Sequence, residues 1–355
     1  MERVLQKKLI VCVGPGGVGK TTTSTALAVA AANAGRRVAV ITFDPSRRLK
    51  DTLGLQQFSH KPATVQIGKV AIDALALDTK RTFDALIERF APNAETAERI
   101  LSNRLYQELS NELSGSAEYM AMEKLHELYH SRLYDTVVVD TPPSTHARDL
   151  LAAPNRLTAL LASRAVSILR APASLISENT SAFGRLTLTT LLRALERWTG
   201  MQLLNDLAEF VSSFESMLAG FQQRAAEIDR ELRSRNSAFV LVTTPEAEPV
   251  EATIAFQAEL RADKFPVAGI IANRVIAFPA PRLHKLQQWD EPLRSHLLAN
   301  QRALHALAVR DQRTLTELHE KTDVEVLALL PMSAAAPTSL PQIADLARRL
   351  APRRH

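Results

Sequence analysis

The chain has 355 residues, of which 46% are hydrophobic and 23% are charged, and its single cysteine is Cys12. One cysteine excludes a disulfide framework or a cysteine metal cluster within one chain, and no stretch approaches the roughly 18 apolar residues that a membrane-spanning helix needs. The formal net charge of +5 permits weak attraction to nucleic acid or anionic lipid, but the basic residues are scattered and no aromatic pattern accompanies them. We therefore expect a cytoplasmic protein with no clear nucleic-acid site and no membrane span.

Six short apolar runs have the length and the β-branched content of β-strands. Most of them lack polar alternation, as expected of strands that are covered by helices on both faces. Helical patterns separate the runs, which predicts an α/β fold with a doubly wound, mainly parallel sheet. The predicted strands are Leu9 to Val13, Val38 to Phe43, Thr136 to Val139, Phe239 to Thr243, Val267 to Ala272 and Val324 to Leu330.

A glycine-rich loop follows the first predicted strand and opens a helical pattern from Thr21 to Ala34. It fits the P-loop pattern G-x-x-x-x-G-K-[ST], in which backbone amides cradle phosphates and the lysine reaches the β- and γ-phosphates. We therefore predict an ATPase that binds ATP and Mg²⁺, with Lys20 acting in catalysis and Thr21 holding the metal. The predicted nucleotide-binding residues of the loop are Gly14, Pro15, Gly16, Gly17, Val18, Gly19, Lys20, Thr21 and Thr22.

Polar residues follow several predicted strands, and ligands of an open parallel sheet bind beyond the carboxyl ends of its strands. Asp140 ends an apolar strand, where P-loop enzymes place the carboxylate that steadies the magnesium shell, so we predict that it acts on Mg²⁺ through water. Asp44 is the better candidate to orient the attacking water. Asn273 is suited to hydrogen-bond adenine, with Arg274 beside it. Each of these residues could instead be a helix cap or a strand terminator.

Two long segments between predicted strands are helical in period. We predict a P-loop ATPase domain from residues 1–90, 131–150 and 237–355, with residues 91–130 and 151–236 as helical insertions that form a partner-binding subdomain. The second insertion contains an apolar stripe that needs a cover, either a neighbouring helix, which is the more frequent case, or a partner. The stripe comprises Leu204, Leu207, Val211, Phe214, Leu218 and Phe221.

Five segments together resemble the arsenite-pump and tail-anchored-protein-targeting ATPases, which are anion-transporting ATPases: Gly14 to Thr22, Asp44 to Leu49, Asp140 to His146, Thr244 to Glu246, and Asn273 with Arg274. The resemblance implies that Asp44 begins switch I and is the catalytic aspartate, and that Asp140 begins switch II. It also implies ATP-driven dimers whose closure reorganises an inserted helical domain. Since this chain holds one copy of the nucleotide-binding unit, a homodimer is expected.

The chain departs from this family at two points. Family members usually carry a lysine at the position of Pro15, which reaches the partner's nucleotide, and proline cannot supply that charge. Trans-acting cations of this type contribute roughly 10³ to 10⁵ in rate, so we expect slow hydrolysis unless Arg47, Arg48 or another residue substitutes. Arsenite-binding members and zinc-bridged members use several cysteines, whereas Cys12 stands alone in a predicted strand, so neither arsenite transport nor a zinc bridge is expected.

The leading hypothesis is an ATP-gated homodimer whose helical layer binds a hydrophobic helix or a protein partner. The main alternative is a partitioning or positioning ATPase of the MinD and ParA kind, which acts on membrane or DNA and would carry a terminal amphipathic basic helix. Residues 340–354 could form such a helix, but a short final helix that packs on the sheet, with arginines near its C-terminus, explains them better. A metabolic kinase or ligase would need an acceptor site, and no residues define one.

Overall fold

The computed structural model of this chain describes residues 1–43, 49, 53, 62–91, 93–102, 117–142, 220, 223–276, 290–333, 337 and 339–351. The chain divides into two compact units, and the whole sheet lies in the first of them. The first unit comprises Met1–Leu77, Leu128–Arg148 and Arg230–His355, and the second comprises Asp78–Glu127 and Asp149–Asp229. Asp44 and the members of the apolar stripe between Leu204 and Phe221 lie outside the described residues.

The described part of the chain contains eight strands and several helices. The strands are β1 Leu9–Val13, β2 Val38–Thr42, β3 Ala63–Ile67, β4 Val70–Ala76, β5 Thr136–Asp140, β6 Ser237–Thr243, β7 Val267–Val275 and β8 Val326–Pro331. The helices are α1 Glu2–Leu5, α2 Lys20–Asn33, α3 Thr79–Phe90, α4 Ala94–Ser102, α5 Ala117–His130, α6 at 223–232, α7 Ala247–Ala262, α8 Leu293–Thr322 and α9 Leu340–Leu350.

The strands form one sheet in the order β3-β4-β2-β5-β1-β6-β7-β8, and every described pair is parallel except β3 with β4. The four strands β2, β5, β1 and β6 are buried along their whole length. Continuous burial is what an apolar run without polar alternation predicts for a strand covered on both faces. All six predicted strands are present, and the predicted α/β fold with a mainly parallel sheet is confirmed.

The sequence analysis did not predict the antiparallel hairpin of β3 and β4. The hairpin turns at Gly68 and Lys69, where Gly68 has a φ of 63°, and Ile67 pairs with Val70. In β3, Val65 and Ile67 are buried while Thr64 and Gln66 are exposed. Such alternation is typical of an edge strand with one solvated face, and it lacks the continuous apolar run by which the other strands were recognised.

Helix α2 is the helix around which the core of the first unit is built. Its side chains are buried from Thr23 to Ala32, because they are small enough for β1, β2 and β5 to approach on one side and α9 on the other. A helix that is covered on all sides shows no single apolar stripe in its sequence. The helix that follows the glycine-rich loop is therefore held rigidly against the centre of the sheet.

The C-terminal helix α9 uses its apolar face inside the protein. Its residues Ile343, Leu346 and Leu350 are buried against α2 and the sheet, whereas its two arginines are exposed and pair with the half-buried Asp345. The prediction that this segment packs on the fold is confirmed, because the face that a membrane would need is already covered. Within the described portion, no helix is long and apolar enough to cross a bilayer.

The described helices of the second unit contact one another through charged and aromatic groups. Arg224 of α6 forms an ion pair of 2.7 Å with the buried Glu123 of α5, and its guanidinium lies 3.9 Å from the ring centroid of Phe90 in α3. His126 and Glu227 form a second contact between α5 and α6 at 2.9 Å. Guanidinium groups that are paired and stacked in this way connect specific helix faces.

We predict that Ile343→Ala destabilises the protein by about 2 to 5 kcal/mol, because it leaves a cavity between α9 and α2. Urea unfolding followed by circular dichroism gives the free energy of unfolding. Arg349→Ala on the exposed side of the same helix is the control, and it should change that free energy by less than about 1 kcal/mol. Equal losses in the two variants would contradict the packing of α9 described above.

Candidate functional site

The glycine-rich loop connects the end of β1 to the start of α2, at the carboxyl edge of the parallel strands. Gly19 is the N-cap of α2 and has a φ of 92°, a left-handed conformation that glycine adopts without strain. The first turn of a helix has amide groups without intrahelical partners, and its dipole favours negative charge. The start of α2 is therefore built to hold an anion such as a phosphate.

Two close approaches explain why the loop needs glycine at both of its ends. A Cβ atom at Gly14 would collide with the carbonyl oxygen of Val242 in β6, and a Cβ atom at Gly19 would collide with the side-chain nitrogen of Asn273 in β7. The loop is thus supported from behind by β6 and β7. Any larger residue at these two positions would push the loop away from its support.

The Lys20 ammonium lies against the loop and donates hydrogen bonds to the carbonyl oxygens of Gly14 at 3.0 Å and Pro15 at 2.7 Å. The Lys20 side chain is almost fully buried. Its positive charge is therefore screened by little water and attracts phosphate oxygens strongly. The remaining predicted loop residues differ in exposure: Pro15 and Val18 are buried, Gly16 and Gly17 are exposed, and Thr22 is half-buried.

Asp140 ends β5 and is fully buried. Its Oδ2 accepts hydrogen bonds from the hydroxyl groups of Thr21 at 2.8 Å and Thr42 at 3.0 Å. A buried carboxylate depends on such donors, because burial alone disfavours its charged form. The carboxylate thereby joins the first turn of α2 to the end of β2. The Thr21 hydroxyl and the Asp140 carboxylate form a set of hard oxygen donors that suits Mg²⁺.

Cys12 pairs with Asp140 in the register between β1 and β5, and its side chain is fully buried. Burial raises the pKa of the Cys12 thiol well above its ordinary value; the nearby Asp140 charge raises it further, and the Lys20 charge acts in the opposite direction. A thiol that stays protonated is a poor nucleophile and a poor metal ligand. The prediction that Cys12 is buried in a strand is confirmed.

Asn273 lies near the end of β7 and contacts the loop directly. Its side-chain nitrogen donates a hydrogen bond of 2.8 Å to the backbone oxygen of Val18. Arg274 follows it with an exposed side chain and a φ of 57°, a left-handed conformation that is uncommon outside glycine. The structure therefore brings Asn273 to the loop, whereas its contact with adenine stays a prediction.

Two residues that support the site were not predicted from the sequence. Thr42 donates to Asp140, and the available signal was a hydroxyl residue at the end of an otherwise apolar strand. Asp311 in α8 is buried, and its Oδ2 accepts a hydrogen bond of 2.9 Å from the backbone nitrogen of Ile276, directly after β7. It fixes the chain that follows Asn273. No local pattern indicates this role, because Asp311 is one acidic residue within a long polar helix.

Comparisons with known proteins agree with this geometry. The family described as "Anion-transporting ATPase" matches residues 7–298, a range that contains the loop, Asp140 and Asn273. Among similar proteins, "ATPase get3" of Aspergillus terreus is 27% identical over 267 residues, covering 75% of this chain and 72% of the relative. "ATPase get3" of Botryotinia fuckeliana is 28% identical over 269 residues, covering 75% and 71%. "ATPase ASNA1 homolog 1" of Paramecium tetraurelia is 26% identical over 277 residues, covering 77% and 76%.

We predict that Asn273→Ala weakens ADP binding about fivefold, because it removes one hydrogen bond worth about 1 kcal/mol from the back of the loop. Calorimetry with ADP and with inorganic tripolyphosphate, which has no adenine, separates the two roles of this residue. A loss for both ligands is expected if Asn273 holds the loop. A loss for ADP alone would instead show the adenine contact. Asn33→Ala, at an exposed position near the end of α2, is the control and should change neither affinity.

We predict that Asp140→Asn lowers Mg²⁺-dependent ATP hydrolysis about 10- to 100-fold, the usual cost of losing a group that orients the shell of a metal. ATP binding in the presence of a chelator should stay within a few fold, because the loop and Lys20 are intact. Phosphate release and nucleotide calorimetry measure the two quantities. Thr42→Val, which removes one donor and leaves the charge, should cost less. An unchanged Mg²⁺ dependence in the Asp140 variant would contradict this role.

Proposed function

Because this chain belongs to the anion-transporting ATPase family and is therefore an ATPase, we propose that it acts as a homodimeric switch driven by ATP binding and hydrolysis. The observation that carries the proposal is the hydrogen bond between Thr21, in the first turn after the loop, and the buried Asp140. Asp140 is the first residue of the proposed switch II. A change at the phosphate site would therefore reach the segment after Asp140 through a single contact.

The residues of the site divide the work of phosphoryl transfer between them. Lys20 and the first-turn amides of α2 bind the triphosphate and stabilise the charge that develops on it. Thr21 would ligate Mg²⁺, and Asp140 would hold one of its water ligands. When bound, Mg²⁺ would neutralise part of the negative charge on the phosphates. Asp140 is fully buried and bonded to two hydroxyl groups, so its role is to position rather than to exchange protons with the reacting water.

Asp44 is proposed to orient the attacking water. Asp44 itself lies outside the described residues, but the preceding residue, Phe43, donates a backbone hydrogen bond of 3.1 Å to the carbonyl oxygen of Asp140. The chain therefore enters the proposed switch I directly beside the start of switch II. Phosphoryl transfer depends mainly on positioning and charge stabilisation, so one carboxylate near the metal and one near the water suffice.

The helical insertions at residues 91–130 and 151–236 are proposed to bind a hydrophobic helix or a protein partner, with the tail-anchored-protein-targeting members of the family as the precedent. Transport of arsenite through cysteine ligands, or a zinc bridge between subunits, does not fit this chain. Its single cysteine is buried in β1 with a raised pKa, so it offers no thiolate to either. The alternative of a membrane-binding positioning ATPase is weakened because the apolar face of α9 is already covered.

Light scattering coupled to size-exclusion chromatography tests the dimer. We predict that Asp140→Asn with Mg²⁺ and ATP elutes with twice the chain mass of 39.1 kDa, whereas nucleotide-free protein contains more monomer. A hydrophobic helical peptide carrying a fluorophore should bind the ATP-loaded form more tightly than the nucleotide-free form. A single mass and a single peptide affinity in all nucleotide states would contradict the switch, although the ATPase assignment would stand.

We predict that Pro15→Lys accelerates hydrolysis by about 10-fold or more, because a lysine at this loop position would supply the trans-acting cation that other family members have. Pro15 contributes only its carbonyl oxygen to Lys20, and a lysine retains that carbonyl. Pro15→Ala is the matched control, since it changes the backbone restriction without adding charge, and it should not accelerate the reaction. An unchanged turnover number in the lysine variant would show that this position does not face the partner's nucleotide.

A further inference from the structure

A basic cleft of about 990 Å³ lies at the edge of the sheet opposite the glycine-rich loop of residues 14–22, which we call the phosphate loop. It is formed where β1, β2, β5 and β6 begin, and each strand contributes the residues that immediately precede it. The two edges are separated by the length of β1, five residues or roughly 17 Å. We call this surface the amino-edge cleft. Its lining residues are Glu2, Arg3, Gln6, Lys7, Lys8, Arg36, Arg37, Arg132, Tyr134, Asp135, Arg235 and Asn236.

The lining carries seven cationic and two acidic side chains, so the amino-edge cleft holds five net positive charges. The formal net charge of the whole chain is also +5, which means that the cations of the remaining chain are balanced by acids. Positive charge that is concentrated in a concave surface produces a strong local potential, because the field of each group adds to that of its neighbours. The lining of the amino-edge cleft therefore carries a net charge as large as that of the whole chain.

Some of these cations have structural tasks. The Arg36 guanidinium donates to the Thr136 hydroxyl and to the backbone oxygen of Asp135, and Arg37 forms an ion pair of 2.8 Å with the Asp135 carboxylate. This hydrogen-bonded pairing with Arg37 holds the pKa of Asp135 well below its usual range. The Lys8 ammonium lies 4.3 Å from the ring centroid of Tyr129. Asp135, one of the two acidic residues of the cleft, is thus paired with Arg37.

Three other arginines have no such task. Arg3, Arg132 and Arg235 are exposed, and within the described part of the chain their guanidinium groups have no ion pair, hydrogen bond or aromatic partner. They come from α1, from the turn after α5 and from the turn before β6. Like charges that line one cleft repel one another, and a bound anion would relieve that repulsion.

We propose that the amino-edge cleft binds a compact ligand with two or more phosphate groups, either free or as a lipid headgroup. Guanidinium groups bind phosphate oxygens in a bidentate manner, and five of the seven cations are arginines. A compact polyphosphate also matches charge that is concentrated in one cleft. The aromatic rings nearby offer no stacking surface for a nucleobase: Tyr134 is buried and donates to Asp73, and the Tyr129 ring lies under Lys8.

The test measures binding of inositol hexakisphosphate by calorimetry to ADP-loaded protein in metal-free buffer, so that the phosphate loop is occupied. The cleft variant combines Arg3→Gln, Arg132→Gln and Arg235→Gln. The control variant combines Arg261→Gln, Arg302→Gln and Arg313→Gln, which removes three exposed charges that do not line the amino-edge cleft. Both variants lower the net charge by the same amount, and circular dichroism and ATPase assays verify that each is folded.

We expect the cleft variant to bind the probe about tenfold more weakly or worse, and the control variant to remain within about twofold of the wild type. Equal affinities in the two variants, or no saturable binding to the wild type, would overturn the proposal. Vesicles with and without phosphatidylinositol bisphosphate distinguish a lipid headgroup from a free ligand. Binding of the wild type to the vesicles that contain this lipid, with loss of binding in the cleft variant, identifies a headgroup. Binding of the soluble probe without binding to these vesicles identifies a free ligand. If duplex DNA binds through the same arginines more tightly than the probe, the cleft is a nucleic-acid site and the proposal is wrong.

Discussion

The buried carboxylate of Asp140 is the constraint on which the rest of this site depends. It lies level with Cys12 and Thr42 in the sheet and is shielded from bulk solvent, and the hydroxyl groups of Thr21 and Thr42 stabilise its charge. A charge that is buried in this way can be retained only if its partners keep their positions. Asp140 therefore links β2, β5 and the first turn of α2 through two hydrogen bonds. A displacement of the Thr21 hydroxyl would disturb the contact that joins these three elements.

The glycine-rich loop is held from the opposite side by β6 and β7. Val242 in β6 limits the space at Gly14, and Asn273 in β7 limits the space at Gly19 while it bonds to Val18. Asp311 in turn fixes the chain just beyond β7. A loop that is braced by two strands and a carboxylate presents its amides in a fixed arrangement. Preorganisation of this kind favours tight binding of a phosphate.

The two edges of the parallel sheet carry different chemistry. The carboxyl edge combines the start of α2 with Lys20 and Asp140, whereas the amino edge gathers arginines and lysines from four strand beginnings. These cations are far apart in the sequence, between Arg3 and Arg235, so no single segment of the chain shows a basic cluster. Because all the central strands run in the same direction, their beginnings meet at one edge. Parallel pairing thus turns a dispersed basic composition into a concentrated positive surface.

The sequence alone determined the glycine-rich loop between a strand and a helix, the six apolar strands and the burial of Cys12, because each depends on residues that are neighbours in the chain. It did not indicate the hairpin of β3 and β4, whose alternating residues lack a continuous apolar run. Only the tertiary structure decided that Asn273 contacts Val18 across 255 positions and that Thr42 donates to Asp140 across 98. Such contacts follow from strand order and register, and these are set by the packing of the whole sheet rather than by any local pattern.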